Sequence, residues 1–152
     1  MSTNIPTLVF NGFKVTKVLF NREDLEKDPV FEVNIQFLTE FPNPQNELIF
    51  NSVFIIDMNG LEVNFNAQIQ VVAFFKIDGE VDHNIKENYT QISAPSIIFP
   101  YIRAFISNLF LSGGANPIIL PPINFIERYH ESKQKKVSQD DKVTQDDSKK
   151  EE

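Results

Sequence analysis

Few residues in this chain have the types and spacing that catalysis or metal binding requires. The candidates for acid–base chemistry are two pairs: the adjacent Asp82-His83, and Glu127 with His130 three residues after it. In each pair a carboxylate could orient an imidazole for proton transfer. A His beside an Asp in a polar connector is more often simply solvated. A zinc site needs several His or Cys ligands at short spacing, and the chain has two His and no Cys. We therefore predict no enzymatic activity, no metal and no cofactor.

Composition excludes other function classes. The absence of Cys excludes disulfides and thiol chemistry and fits a reducing cytosol. A net charge of -7 argues against nucleic acid as a partner, because phosphate binding needs a basic patch. The opening MSTNIPTLVFNG lacks a basic region followed by an apolar run, and no apolar run approaches the roughly 18 residues of a membrane span. We expect a cytoplasmic protein that does not insert into membranes.

The clearest structural element is a long stretch of alternating residues, from Leu61 to Ile77. Apolar side chains occupy every second position, and Glu, Asn and Gln lie between them as far as Gln70. Alternation with period two indicates a half-buried strand of an antiparallel sheet. After Gln70 the polar face carries Val72 and Phe74, which either lie under a loop or line a surface kept open for a partner.

Three earlier stretches are also typical of strands. These are Thr7–Phe20 with Gly12 as a possible bulge, Phe31–Leu38, and Leu48–Asp57. Asn59-Gly60 is a strong hairpin signal between the third strand and the long one. Four strands with short connectors predict an antiparallel meander.

The stretch IIFPYIRAFISNLFLSGG, residues 97–114, predicts a helix that is apolar over about half its circumference. Pro100 suits the first helical position, and Gly113 or Gly114 suits the left-handed cap. A surface helix needs an apolar stripe of only about 100°, so a thin sheet would leave part of this one uncovered. We predict that the helix meets the same helix of another copy; the alternative is a monomer whose loops cover it. The predicted interface residues are Tyr101, Ile102, Phe105, Ile106, Leu109 and Phe110.

The C-terminal part changes character. Prolines at 117, 121 and 122 predict an extended segment, and Ile126–Lys136 predicts a short charged helix. The repeat KVSQDD-KVTQDD then covers residues 136–147, with two Val as its only apolar residues. Such a sequence buries too little apolar area to offset the entropy of ordering. We expect one folded domain over residues 1–133 and a disordered charged tail over 134–152.

Three motifs in the second half resemble the SecB family of export chaperones. They are Ile98-Phe99-Pro100-Tyr101-Ile102-Arg103, then Ser112-Gly113-Gly114, then Leu120-Pro121-Pro122-Ile123-Asn124-Phe125. Their order and spacing cover residues 94–129, about a quarter of the chain. Residues 67–79 resemble the family's last long strand more weakly.

The resemblance implies a fold, an assembly and an activity. The fold would be α+β: a four-stranded antiparallel sheet with one long and one short C-terminal helix packed on one side. The assembly would be a dimer of dimers, a homotetramer with the main helices between the dimers. SecB proteins are ATP-independent holdases that bind unfolded preproteins and pass them to the SecA ATPase. The implied function is therefore chaperoning of unfolded polypeptides for protein export.

Two departures from the family pattern bear on partners. The loop over residues 21–29 lacks the aromatic residues that the family uses in its groove, and the acidic residue that helps dock SecA falls at Gln68. These departures leave two alternatives: a chaperone dedicated to one client, such as an antitoxin, or a scaffold that binds no unfolded chains. The predicted client contacts are Val72, Phe74 and Phe125, with Phe54 and Ile56 behind them.

Overall fold

A computed structural model describes residues 5–147, with side chains described as far as Ser138. Four strands come first and helices follow. The elements are β1 (Thr7–Arg22), β2 (Phe31–Glu40), β3 (Ile49–Gly60), β4 (Phe65–Asp78), α1 (His83–Asn88), a π-helical turn (Tyr89–Ser93), α2 (Ala94–Ser112) and α3 (Phe125–Asp147). The predicted α+β class is confirmed, with a four-stranded antiparallel sheet, a long helix and a C-terminal helix.

The strand order is β1-β4-β3-β2, so the predicted meander is wrong for the first strand. β2, β3 and β4 do form consecutive antiparallel pairs, but β1 pairs with β4 at the far edge. The connection from Arg22 to Phe31 must cross three strand spacings, roughly 14 Å. Its eight residues reach up to about 26 Å when extended, which makes this order possible.

The turn of the hairpin between β3 and β4 lies further along the chain than the Asn59-Gly60 signal indicated. β3 continues to Gly60, which lies opposite Phe31, and β4 begins at Phe65. The turn is therefore the segment 61–64 rather than Asn59-Gly60. Because β2 and β4 pair with β3 on its two sides, their ladders hold Asn59 in the sheet, opposite Glu32 and Asn66.

The predicted bulge at Gly12 is confirmed. The register of β1 against β4 shifts between Phe10 and Phe13, and Gly12 has a φ of 92°. A second shift separates Val15 from Lys17. The first strand therefore bends at two places, as bulged edge strands do.

The core lies between one face of the sheet and α2, and we call that face the covered face. Phe54 of β3 stacks near Phe99, at a ring-centroid distance of 6.2 Å. Tyr101 contacts Phe10 and Phe13 of β1. Fully buried side chains from both layers are Phe50, Phe54, Ile56, Met58, Ile69, Phe75, Ile98, Ile102, Ile106 and Phe110. Their burial is the main source of stability for this fold.

α2 begins earlier than Pro100. Its first residues are Ala94 and Pro95, and Pro100 lies inside the helix. The residues before it form α1 and the π-helical turn. A proline has no backbone N–H, so α2 lacks one hydrogen bond at Pro100, in its second turn. The end is as predicted: Gly114 has a φ of 78°, and the Ala115 N–H donates to the Phe110 carbonyl at 2.9 Å.

The C-terminal helix is not short, because α3 spans 23 residues. The Asn124 side chain caps its start, with Oδ1 accepting from the Glu127 N–H at 3.2 Å. Helical backbone continues to Asp147, and the disordered tail from residue 134 stays a prediction. Residues 148–152 lie outside the part of the chain that the structure describes.

By length and composition alone, the continuous helical stretch His83–Ser112 could cross a membrane. In the fold, 39% of its apolar window is buried inside the protein. The same stretch packs on the sheet through Ile98, Ile102 and Ile106, as the core helix of a globular protein does. Length and composition are therefore weak evidence for a span, and the absence of membrane insertion stays a prediction.

Candidate functional site

The face of the sheet that points away from α2, which we call the open face, carries the candidate site. Side chains alternate between the two faces along each strand, and residues directly opposite one another share a face. On β4 the residues at odd positions from Phe65 to Ile77 are buried, whereas Gln68, Gln70, Val72 and Phe74 are partly exposed. The open face is thus defined by the even-numbered positions of β4 and their partners in the other strands.

Apolar residues cross the open face in one row, which we call the apolar row. Val72 lies opposite Val53 of β3, and Val53 lies opposite Leu38 of β2. Lys14 of β1 completes the row beside Val72, and its ammonium group lies 5.9 Å from the centre of the Phe74 ring. Leu38 is exposed, while Val53 is only 3% exposed because its neighbours cover it. Leu38 and Val72 thus present apolar surface on the two sides of a nearly buried Val53.

Val72 and Phe74 lie on this open face, partly exposed. Phe54 and Ile56 do not: both are 0% exposed, on the covered face. As placed here they can touch no client, so the client contact proposed for these two is corrected to a core role. Sequence reasoning missed Val53 and Leu38, although Leu38 interrupts the polar positions Glu32, Asn34 and Gln36 of its strand.

Phe125 is 3% exposed at the first position of α3. Its ring therefore offers almost no surface for a client in this conformation. We correct its assignment to a buried residue.

The six predicted interface residues of α2 fall into two groups. Ile102, Ile106 and Phe110 are buried on the sheet, so contact with another copy is corrected for these three. Tyr101 is 50% exposed, and Phe105 and Leu109 are partly exposed. The outward side of α2 also presents the exposed Pro100, Ala104 and Leu111.

A small pocket lies between the outward side of α2 and the extended segment that follows it. Its volume is about 240 Å³, and the Arg103 guanidinium Nε donates to the Leu120 carbonyl at 2.7 Å, which holds the segment against the helix. Ile119 lines the pocket and is exposed. Arg103 therefore has a structural role.

The loop between β1 and β2 is fixed by Arg22, whose side chain is mostly buried. Its Nε donates to the Asp24 carbonyl at 2.7 Å and Nη2 donates to the Lys27 carbonyl at 3.0 Å. Asp28 accepts from the Asn116 backbone N–H at 3.4 Å and from its side-chain amide, which ties the loop to the segment after α2. Leu25 projects from this loop and is 82% exposed to solvent.

Asp24 is the group in this loop with a shifted pKa. Its Oδ1 accepts the backbone N–H groups of Glu26 at 2.9 Å and Lys27 at 3.3 Å. These bonds, that of Glu26 first, lower the pKa of the Asp24 carboxyl below 3.8 because they stabilise the charged form.

The first two acid–base candidates, Asp82 and His83, lie at the start of α1. Asp82 caps α1, with Oδ1 accepting from the Ile85 N–H at 2.8 Å, and His83 lies 3.8 Å from Glu87 on the surface. The His130 ring neighbours Tyr129. Over the described residues, no group of three or more His, Cys, Asp or Glu could hold a metal ion.

Comparison with known proteins gives a consistent result. The model of the family described as "Preprotein translocase subunit SecB" matches residues 14–136. A protein-export protein SecB of Magnetococcus marinus is 46% identical over 48 residues, which are 32% of this chain and 31% of that protein. The SecB of Nitrosomonas europaea is 34% identical over 51% of this chain and 47% of its own length. The matches therefore span less than half of these two relatives.

Two further matches cover more of the chain. An uncharacterized protein of Methanocaldococcus jannaschii is 28% identical over 77% of this chain and 79% of its own length. Among solved structures, a SecB-like chaperone of Mycobacterium tuberculosis in complex with a ChAD peptide from the HigA1 antitoxin aligns with a TM-score of 0.63. That alignment covers 76% of this chain and 89% of the other at 14% identity, a level that shows a shared fold.

Proposed function

The chain belongs to the SecB family, and on that premise we propose that it is an ATP-independent holdase that binds unfolded polypeptides. The clients would include preproteins on their way to export, in the cytoplasm. The reaction class is binding alone: the chain would hold a non-native segment and release it without chemistry.

The observation that carries the proposal is the apolar row on the open face. Exposed apolar surface on a chain can mark an interaction site. Val72 and Leu38 present aliphatic side chains on either side of the nearly buried Val53, and Phe74 lies two residues further along β4, on the same face. Such a surface matches an extended segment with apolar side chains, which is what an unfolded protein exposes.

We further propose that the outward side of α2 joins copies of the chain, as a dimer of dimers. The support is that Tyr101, Phe105 and Leu109 stay at least partly exposed although the helix belongs to the core. Burial of these side chains between two helices would add about 1.5–3 kcal/mol each as an upper bound. Pro100, Ala104 and Leu111 would lie within the same contact.

The SecA ATPase is a further proposed partner. The position that is acidic in the family is Gln68 here, and its side-chain amide donates to Asp57 Oδ1 at 2.6 Å. An acidic group therefore lies beside this position, on the neighbouring strand. Direct titration of SecA against the chain tests this partner, and no binding would remove it.

The test of the function is holdase activity without nucleotide. A chemically unfolded, slow-folding protein is diluted into buffer with increasing amounts of this chain, and light scattering follows its aggregation. We expect suppression that saturates near one tetramer per client. No suppression by a folded chain would contradict the proposal and favour a scaffold.

A chaperone dedicated to one client is the second candidate. It is favoured by the charged loop between β1 and β2, which carries Leu25 in place of aromatic residues. The SecB-like structural neighbour holds an antitoxin peptide, and a similar client would suit this chain. Suppression tests on several unrelated unfolded proteins distinguish the two, because a dedicated chaperone should fail on most of them.

A further inference from the structure

Four asparagine residues surround a pocket at one end of the open face. Asn21 of β1 and Asn59 of β3 both lie directly opposite Asn66 of β4, and we call these three the asparagine row. The pocket has a volume of about 390 Å³, at the lower end of the range for ligand sites. It is lined by Asn21, Glu23, Asn59, Gly60, Val63, Asn64, Phe65 and Asn66.

Sheet stability does not explain this row. Asparagine is depleted in strands because its short polar side chain packs poorly on a pleated surface. Three asparagines at matched positions of three adjacent strands thus oppose local preference, and such departures concentrate at functional sites. The asparagine row lies on the open face and has no role in the core.

Hydrogen bonds fix the rim of the pocket, whereas the side chains of the asparagine row can still bind a ligand. Asn64 Nδ2 donates to Glu23 Oε2 at 2.7 Å, and the Glu23 N–H donates to the Asn64 carbonyl at 3.2 Å. Among residues 5–138, whose side chains the structure describes, no hydrogen bond from the side chains of Asn21, Asn59 and Asn66 to another protein group is present. Three carboxamides offer both N–H donors and carbonyl acceptors to whatever enters.

The charges around the asparagine row restrict which classes of ligand the pocket can bind. Glu23 lies at one end, and Glu32 of β2 lies opposite Asn59 at the other. No Lys or Arg lines the pocket, so phosphates and carboxylates are disfavoured. A neutral ligand that both accepts and donates hydrogen bonds fits this surface.

We propose that the asparagine row binds the main-chain amides of an extended polypeptide. A carboxamide can pair with a peptide unit through one accepted and one donated hydrogen bond. The row crosses two strand spacings, roughly 9.6 Å, which is the length of about three extended residues. Recognition of the main chain would not depend on the side chains of the bound segment.

This inference rests on the proposed function and divides the client site into two parts. Asn66 and Val72 lie on the same face of β4, six residues or about 20 Å apart. A client segment long enough to reach both rows would place apolar side chains on the apolar row and main-chain amides on the asparagine row. The first part would select for apolar content, and the second would accept any sequence.

The probe is N-acetyl-trialanine N-methylamide, a neutral peptide with minimal side chains, titrated into the full chain. Asparagine side-chain NH₂ signals are followed by ¹⁵N–¹H NMR. We expect saturable shifts in the signals of Asn21, Asn59 and Asn66. Substituting both Asn59→Ala and Asn66→Ala should weaken binding about tenfold or more, because each lost carboxamide would remove one accepted and one donated hydrogen bond. Gln70→Ala, on the same face of β4 but outside the pocket, is the matched control and should bind as the parent chain does.

A second probe keeps the test decisive if the double variant fails to fold. The same peptide with every backbone nitrogen methylated keeps its carbonyl acceptors but lacks N–H donors, so it should bind more weakly and shift the asparagine signals of the parent chain less. Equal shifts with both probes, no shifts with either, or equal affinity of the double variant would overturn the inference. Shifts with the first probe from a chain that fails the holdase assay would leave the pocket standing and remove the proposed function alone.

Discussion

Phe20 and Phe110 meet edge to face, with ring centroids 5.4 Å apart and an interplanar angle of 89°. The contact joins the end of β1 to the end of α2. The rings of Phe31 and Phe65 surround the same Phe110, at 5.5 and 5.6 Å. Four aromatic rings from three strands and a helix therefore anchor the helix at this end of the sheet.

Phe110→Ala should lower the free energy of unfolding by about 3–5 kcal/mol, because it leaves a cavity among the other three rings. Urea unfolding followed by circular dichroism measures this change. Leu111→Ala, at the next and exposed position, should change the free energy of unfolding by less than about 0.5 kcal/mol. Equal effects of the two substitutions would show that Phe110 is not at the centre of this cluster.

Substituting Val72→Ala and Phe74→Ala together should weaken client binding while the fold persists. Both side chains lie on the open face, and contact residues that carry binding typically contribute more than about 1 kcal/mol each. Fluorescence anisotropy of a labelled, permanently unfolded client measures the affinity. Phe54→Ala provides the contrast: it should lower stability by about 3–5 kcal/mol, because this ring is fully buried. Unchanged affinity of the double variant would remove these two residues from the site.

Phe105→Asp should split the proposed tetramer into dimers, because a charge on the outward side of α2 cannot be buried between two helices without a large desolvation penalty. Light scattering coupled to size exclusion gives the mass. Phe105→Leu keeps an apolar side chain and should leave the mass unchanged. Identical masses for both variants and the parent chain would place the contact between copies elsewhere.

Ser52→Ala should leave the free energy of unfolding unchanged or raise it by up to about 1–3 kcal/mol. The hydroxyl is fully buried and has no hydrogen-bond partner among the described residues, so removing it ends a desolvation penalty. Thr90 is also buried, but its hydroxyl donates to the Glu87 carbonyl at 3.2 Å. Thr90→Ala should therefore destabilise by about 1 kcal/mol, and thermal unfolding of both variants under one condition makes the comparison.

The Asp24 carboxyl should titrate below pH 3.8 in the folded chain. A lowered folded-state pKa means that the group contributes stability above its unfolded value, and this contribution is lost as the pH falls through the folded value. Carboxyl ¹³C NMR measures the midpoint directly. Asp24→Asn keeps an acceptor oxygen for the Glu26 and Lys27 N–H groups but should remove this part of the acid dependence. A midpoint at or above 3.8 would contradict the assigned hydrogen bonds.

Local periodicity explains what could be predicted. The alternation in β4 and the apolar positions of α2 depend only on neighbouring residues, and both elements formed, although β4 begins at Phe65 and α2 at Ala94. The bulge at Gly12 is equally local. The order of the strands depends on pairing between distant segments, which no local pattern records, so β1 was placed beside the wrong neighbour.

The candidate site was harder to predict because β3 gives no alternation at its centre. Val53, Phe54, Ile55 and Ile56 are four consecutive apolar residues, and either pair could have faced the helix. The structure puts Phe54 and Ile56 under α2 and Val53 on the open face. The asparagine row, likewise, becomes visible only when the register brings three strands together.

The pairing of β1 with β4 has a consequence for how this protein is made. Thr7 lies opposite Asp78, so the first strand must wait for partners about seventy residues further along the chain. Contacts between such distant segments slow folding, since a long loop must close before they form. During synthesis the fourteen residues of β4 must leave the ribosome before β1 can enter the sheet. Until then the chain is itself a non-native polypeptide with an exposed, phenylalanine-rich strand, and we expect it to be most prone to aggregation in that interval.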